Sequence, residues 1–397
     1  MGLGGGKAKR ARQSFVLNIW HNVKLQRLLH DLHAQLSFTV HGPVLETVVP
    51  PAHHFRGSRI VQEAGRTVLS NQLEAAFHGL DSELVGYSWP ETRAYQLRDV
   101  FVVGDQGSVF FSDGSLFAVG PTRGKQYPRK VRRPLAITAR RVENPLFHLT
   151  GRNFENRGHF TLNHLPRLAA AGGVADRKIL TAPGHSHWQR EMLGLFGCPS
   201  AQITEGGHGT CRVEDLLYIP QLAGGLAPPK FYQELRVAAL NTISDFGCSA
   251  GDLRPGSAPI FVSRADAPNR RILNEAALVA SLNQLFGGRL HIVTLRGMAL
   301  ADQIRTFAKA SLIIGPMGQG MTNVLFAKGV PVVILDPGHA PAPGGWSACF
   351  RDLALLSGNP CLRLLSGTEE DGGKNYEFPE DRLRAKMSLL LRGFLPP

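Results

Sequence analysis

Residues 311–337 read SLIIGPMGQGMTNVLFAKGVPVVILDP, and this stretch decides the fold. The apolar run Ser311-Leu312-Ile313-Ile314 has the length of a buried strand. It passes straight into GPMGQGMTN (315–323), where Gly315, Gly318 and Gly320 let the backbone turn tightly and approach a ligand. Met321 to Phe326 continue with helical spacing. A second apolar run, Val330-Pro331-Val332-Val333-Ile334-Leu335, then stops at Asp336. Strand, glycine turn, helix and strand make half of a nucleotide-binding α/β unit. Backbone N–H groups in such a turn reach a phosphate, and the helix behind it points its positive end the same way.

Working outward toward the N-terminus, helical spacing returns over 299–310, a strand over 290–295 and a helix over 274–286. The last of these places Leu278, Leu282 and Leu285 on one face. Before it stands the strand Pro259-Ile260-Phe261-Val262, followed by the loop SRADAPNRR (263–271). This alternation predicts a parallel sheet with ligands at the carboxyl ends of its strands. Arg264 and the glycine turn both follow such strands, so two anion-binding features are expected on one sheet edge. A last helix is expected over 379–391.

The N-terminal half is less regular. Val100-Phe101-Val102-Val103 and Val109-Phe110-Phe111 flank Gly104-Asp105-Gln106-Gly107 and predict a hairpin. Asp113-Gly114 turns the chain again into Leu116-Phe117-Ala118-Val119. Downstream, a helix is expected around 161–170, with His159 just before it. A strand at 178–181, a helix at 188–196, a strand at 213–219 and a helix at 231–246 complete a first α/β region. Residues 247–257, rich in Gly and Pro, are the natural linker.

The chain of 397 residues has room for two cores, and a mean hydropathy of -0.08 is that of a globular protein. No apolar stretch approaches the ~18–20 residues of a membrane span. Residues 1–13 are basic and glycine-rich without an apolar core, and read as a disordered tail rather than a secretory signal. Residues 14–35 read as an amphipathic helix, packed on its own domain or laid on a membrane or partner. The five cysteines are widely spaced, show no metal or disulfide framework, and point to a reducing cytosol. A net charge of +13 favours anionic partners. Part of it lies in 123–141, which holds eight Lys and Arg and no acidic residue. Tyr127 alone interleaves that strip, against a stacking surface for single-stranded nucleic acid. A solvated loop and an anion-binding strip both remain open for it. His185, His187 and His208 have no matched carboxylate or Cys beside them, so a surface loop is preferred to a metal site. No strand is followed by G-x-G-x-x-G with an acidic residue ~20 positions on, which argues against a dinucleotide-dependent oxidoreductase.

SRADAPNRRILNE (263–275) followed by GPMGQGMTNVLF (315–326) resembles glycosyltransferase family 61, with its capsular polysaccharide biosynthesis proteins and eukaryotic xylan-decorating and N-acetylglucosaminyl transferases. NRGHFTLNHLPRL (156–168), LADQI (300–304) and the entry strand at LRDV (97–100) are similar to the family pattern too, so the resemblance covers about 97–336. It implies an α/β fold of two Rossmann-like domains facing a cleft, the B type of glycosyltransferase. Residues 14–250 are then the acceptor side and 251–397 the nucleotide-sugar-binding side. It further implies inverting transfer from a nucleotide-diphosphate sugar to a glycan or lipid-linked acceptor in polysaccharide synthesis, without metal or other cofactor. The implied place is the cytoplasm, with peripheral contact at the inner membrane face as an extension.

On this resemblance Arg264 and Arg270 hold the diphosphate. Gly315, Gly318, Gln319, Gly320, Thr322 and Asn323 shape the donor site, and His159 is the base or acceptor contact. Met317, Gln319, Met321 and Asn163 stand where the family has His, Ala, Leu and an acidic residue. The alternative is therefore a non-catalytic scaffold or sugar-nucleotide-binding protein on the same fold.

Overall fold

The computed structural model describes residues 44–49, 67–70, 84–87, 92–112, 114, 116–117, 139–142, 145–151, 153–172, 174–184, 186–206, 209–220, 226–244, 258–337, 349–366 and 375–393. The expected tail 1–13, the helix 14–35, most of the basic strip, the linker 247–257, and His185 and His208 lie outside these residues.

Two sheets organise the molecule. The first takes β1 (Val44–Val49), β4 (Thr92–Val103), β5 (Ser108–Phe110), β6 (Ala139–Arg141), β7 (Leu146–His148), β8 (Lys178–Thr181), β9 (Ile203–Glu205) and β10 (Thr210–Tyr218). β2 (Thr67–Ser70) and β3 (Leu84–Tyr87) form a separate antiparallel pair. The path of the first sheet is β1-β4-β10-β7-β8-β9, with β5 on β4 and β6 on β10. It is mixed: β1, β5 and β10 run antiparallel to β4, whereas β10, β7, β8 and β9 are mutually parallel. The predicted hairpin is present, with Phe101 opposite Phe110 and Val103 opposite Ser108. Gly104 and Gly107 turn it with φ of 70° and 65°.

The second sheet is parallel throughout: β11 (Ala258–Val262), β12 (His291–Val293), β13 (Ala310–Pro316), β14 (Val332–Asp336) and β15 (Cys361–Leu365), in the order β12-β11-β13-β14-β15. Its central strands β11, β13 and β14 are buried on both faces and alternate between two cores. Ile260, Val262, Ile313, Val332 and Ile334 face one, and Phe261, Leu312, Ile314, Val333 and Leu335 face the other. The first of these cores continues into the first sheet through Phe147 and Leu149, and takes in Phe231, Tyr232 and Leu235 from a connecting helix, Pro229–Ser244. One apolar interior thus runs between the two sheets. Arg236 of that helix donates to the carbonyls of Ala327 (3.0 Å) and Ser357 (2.7 Å), fastening it to the second half. Among the described residues no helix is long and apolar enough to cross a membrane.

Two local departures from expectation bear on the site. His159 closes a short helical turn, Arg157–His159, and does not precede the helix. A π-helical turn, Phe160–His164, follows and leads into Leu165–Ala170. Pro166 explains the widening. It has no N–H for the Leu162 carbonyl and its ring crowds that oxygen, so the turn opens and the Leu165 N–H bonds Phe160 O instead. The Tyr232 hydroxyl takes up the freed Leu162 carbonyl at 3.4 Å. In the second half, Gln319–Phe326 is a 3-10 helix and not an α-helix. Its residues from Met321 to Phe326 are all buried, and the tighter turn lets them fit between the sheet and the helices packed on it.

Candidate active site

In the second sheet the connections run one way from β11 to β12 and the other way from β13 onward. The crossover direction therefore reverses between β11 and β13, and ligands of such sheets bind at that switch point, beyond the carboxyl ends. Ser263-Arg264 leaves β11 there, and Met317-Gly318 leaves β13 there. The two features from which anion binding was expected meet at the place the topology prescribes.

They also touch. A β-carbon on Gly315 would sit 2.9 Å from Val262 Cβ, so the strand ends can approach closely only with glycine. The Arg264 guanidinium lies directly on Gly318. Its Nη2 donates to Asn269 O at 3.0 Å, while its Nε is buried without a hydrogen-bond partner. Burial, and then the neighbouring Arg270 charge, holds Arg264 below the ordinary guanidinium pKa. Among the described residues neither arginine forms a salt bridge. Two close guanidinium groups, incompletely compensated, favour an anion between them.

The loop that carries them is braced from two sides. The Glu275 carboxylate accepts the Ser263 hydroxyl and, at 3.3 Å, the Arg264 N–H. Asn274 Nδ2 donates to Phe378 O at 2.8 Å, and Phe378 N–H returns to Asn274 Oδ1 at 3.0 Å. Tyr376 pairs with both Arg271 and Leu273 through its backbone, and its hydroxyl reaches Leu335 O at 2.9 Å. Arg270 itself holds a left-handed φ of 54°, a conformation this bracing maintains. The 375–378 brace is a tertiary feature that sequence reading did not anticipate.

From the first half comes His159. The Asn156 side chain caps the turn by accepting His159 N–H at 3.2 Å. Both ring nitrogens are held by amides. Nδ1 donates to Asn163 Oδ1 at 2.9 Å, and Nε2 accepts from Asn153 Nδ2 at 3.2 Å. Asn163 cannot act as a base, but it selects the tautomer in which Nε2 carries the lone pair. Gly158, next to His159, faces Gln319 across the boundary between the halves, and a β-carbon there would sit 3.6 Å from Gln319 Cγ. Gly158, Gln319, Gly318 and Arg264 thus form a contiguous row, with His159 next to Gly158 in the chain.

The remaining predicted residues are placed otherwise. Thr322 and Asn323 are each 1% exposed. The Thr322 hydroxyl donates to Gln319 O at 2.7 Å, and Asn323 Nδ2 to Gln303 Oε1 at 3.1 Å, so both shape the turn from within. Met317 is buried in the shared core. Glu205, Glu214 and Asp215, the other carboxylates open to a base role, are paired with Arg190, Arg141, and Arg98 and Arg177 respectively. Arg140 donates to Glu205 O, so the described end of the basic strip is engaged with its neighbours. Cys198 and Cys211 are buried, and burial pushes the Cys198 thiol up to about 11, as fits a small core residue. Among the described residues no three His, Cys, Asp or Glu side chains gather as a metal would require.

The Arg264 loop and the glycine turn at the switch point of a parallel sheet, met by the Gly158–His159 turn of the first half, make this an α/β protein whose fold is compatible with a glycosyltransferase. Residues 158–334 match the family model described as Glycosyltransferase 61. Over 91 residues it is 36% identical to protein O-linked-mannose beta-1,4-N-acetylglucosaminyltransferase 2 of Pan troglodytes, and equally to that of Canis lupus familiaris. Identity to the Homo sapiens protein of that name is 35%. Each alignment covers 23% of this chain, which spans only 15% of the length of these relatives.

Proposed function

We propose that the chain is an inverting glycosyltransferase, moving a hexosyl or pentosyl group from a nucleotide-diphosphate donor to a glycan acceptor. The observation that carries this reading is the convergence of the two halves on one turn, with Gly158 against Gln319 and the Arg264 guanidinium on Gly318. The acceptor hydroxyl displaces the Asn153 amide from His159 Nε2 and gives its proton to that nitrogen as its oxygen bonds the anomeric carbon. The bond from that carbon to the diphosphate oxygen breaks, and the configuration inverts. Arg264, Arg270 and backbone N–H groups near Gly318 and Gly320 take up the charge of the leaving diphosphate. The donor is a co-substrate, and no metal or other cofactor is assigned.

In this proposal residues 14–250 form the acceptor side and 251–397 the donor side of a B-type cleft. The setting is capsular or other surface polysaccharide synthesis in the cytoplasm, with peripheral contact to the inner membrane face. The names of the relatives add N-acetylglucosamine and protein O-linked mannose to the donors and acceptors worth screening.

The test is a screen of UDP-, GDP- and CMP-sugars for thermal stabilisation and hydrolysis, followed by Arg264→Ala and Arg270→Ala. One donor class is expected to raise Tm, and both variants to stay folded while losing turnover. Unchanged transfer rates in both end the proposal. A second reading, a non-catalytic sugar-nucleotide-binding protein, is favoured by Met317, buried where the family pattern has a histidine. Nucleotide binding by calorimetry without any hydrolysis or transfer selects it.

A further inference from the structure

Arg157 opens the turn that carries His159, yet its side chain crosses into the other half. Nη2 donates to Gln303 Oε1 at 2.5 Å and to Asn323 Oδ1 at 3.4 Å. Asn323 Nδ2 donates to the same Gln303 oxygen. Gln303 Nε2 completes the node by donating to the carbonyls of Leu295 (3.2 Å) and Met298 (2.8 Å). Leu295 in turn packs at Gly320, where a β-carbon would meet its Cδ1 at 2.8 Å. Three segments are joined here: the His159 turn, the 3-10 helix behind the glycine turn, and the loop after β12.

The choice of arginine is informative. Burial holds Arg157 below its ordinary pKa, only the more distant Glu191 offsets that, and its Nε is buried without a partner. It makes no salt bridge among the described residues, and the Trp188 ring centroid lies 5.7 Å from its Cζ. A buried, incompletely compensated cation is a poor way to fill space. What guanidinium offers is a planar fork that fixes direction.

We infer that Arg157 is a positioning residue, the latch that sets His159 at a fixed place relative to Arg264 and the glycine turn. This rests on the glycosyl-transfer reading, in which the base and the leaving-group clamp come from different halves. A misplacement of about 1 Å between such groups lowers rates on the order of 10²-fold.

The experiment compares the full chain with Arg157→Met, Arg157→Lys, Gln303→Leu and the Arg157→Met/Gln303→Leu pair. It measures hydrogen exchange without ligand, calorimetry with UDP, GDP and CMP, and transfer kinetics. Arg157→Met is expected to speed exchange in both 157–164 and 319–326, to leave nucleotide Kd within about threefold, and to lower kcat about 10²-fold. Arg157→Lys recovers part of kcat, and the double variant falls no further than either single one, because both break one node. An unchanged kcat, an additive double variant, or nucleotide affinity lost as in Arg264→Ala overturns the latch. Should Arg157→Met fail to fold, Gln303→Leu carries the same comparison. Should the wild-type chain bind none of the three nucleotides, the transfer reading fails, and exchange alone decides. Faster exchange in both segments then supports the latch, and exchange equal to wild type overturns it.

Discussion

The Arg264 guanidinium occupies the space that a side chain at position 318 would need: a β-carbon on Gly318 would fall 2.0 Å from Nη1 and 2.7 Å from Cζ. The Gly318 φ of 172° is extended backbone open to any residue, so glycine is required for room and not for conformation. Gly318→Ala is therefore expected to push the guanidinium aside while stability changes by about 1 kcal/mol or less. Nucleotide affinity should fall about tenfold or more, roughly 1.4 kcal/mol, as in Arg264→Ala. Calorimetry with UDP, GDP and CMP, with a parallel melt, checks this. Wild-type affinity in Gly318→Ala would remove Arg264 from the donor site.

Glu275 steadies the same cradle from beneath. Its carboxylate accepts the Ser263 hydroxyl and the Arg264 N–H, and the Ser263 oxygen in turn accepts Ala265 N–H at 3.2 Å. It also lies in the first turn of the helix Glu275–Leu285, where negative charge is favourable. Glu275→Ala leaves these donors without their acceptor and should lower unfolding free energy by about 1–3 kcal/mol. Glu275→Gln, which keeps one acceptor oxygen, should lose less. Urea denaturation measures both, and a wild-type midpoint in the alanine variant would show that these contacts carry no weight.

The second half was largely legible in the sequence because its central strands are buried on both faces. Ile313-Ile314 and Val332–Leu335 read as continuous apolar runs, and the glycines between them had a physical purpose. Segments whose structure depends on distant partners were not legible. Asn274 meets Phe378 across 104 residues, and nothing local in Asn375–Phe378 announces that contact. β15 and the helix Cys349–Leu356 were missed, their short apolar stretches fitting strand and helix alike. In the first half the hairpin showed through its alternation, whereas three-residue β7 is too short to carry a period. Arg264, Arg270 and His159 could be named from motifs. The bonds they make, Arg264 to Asn269 O and the His159 ring to Asn153 and Asn163, follow only once the fold of these loops is known.

Substitution of His159 is expected to separate binding from chemistry. Its Nε2 is the acceptor nitrogen because Asn163 Oδ1 takes the Nδ1 proton at 2.9 Å. His159→Ala is expected to lower kcat by about 10²–10⁴-fold while nucleotide Kd stays near wild type, since the arginines are untouched. Asn163→Leu removes the orienting acceptor without adding charge, and should reduce kcat about tenfold by the same logic. Steady-state transfer kinetics beside calorimetry decide the matter. A wild-type kcat in His159→Ala would place the base elsewhere.

The last prediction concerns acid stability, where the buried His148 sets the sign. His148 Nε2 donates to Gly107 O at 2.7 Å, and Nδ1 accepts from Arg167 Nη2 at 3.2 Å, so both nitrogens are used by the neutral ring. Arg167 itself donates to the carbonyls of Ile219 (2.7 Å), Thr150 (3.2 Å) and His148 (2.5 Å). Burial, and then the Arg167 charge, lowers the His148 pKa from 6.5 to about 3. Above pH 6.5 the ring is neutral in both states and contributes no pH dependence. Between 6.5 and about 3 the unfolded chain binds a proton that the folded chain refuses, so stability falls as pH falls. The slope from this one group reaches at most about 1.4 kcal/mol per pH unit. Urea midpoints of the wild type should therefore decline between about pH 7 and about pH 4.5. His148→Gln should start lower, having lost its contacts, but decline less steeply. Parallel slopes in the two proteins would show that acid lability arises elsewhere.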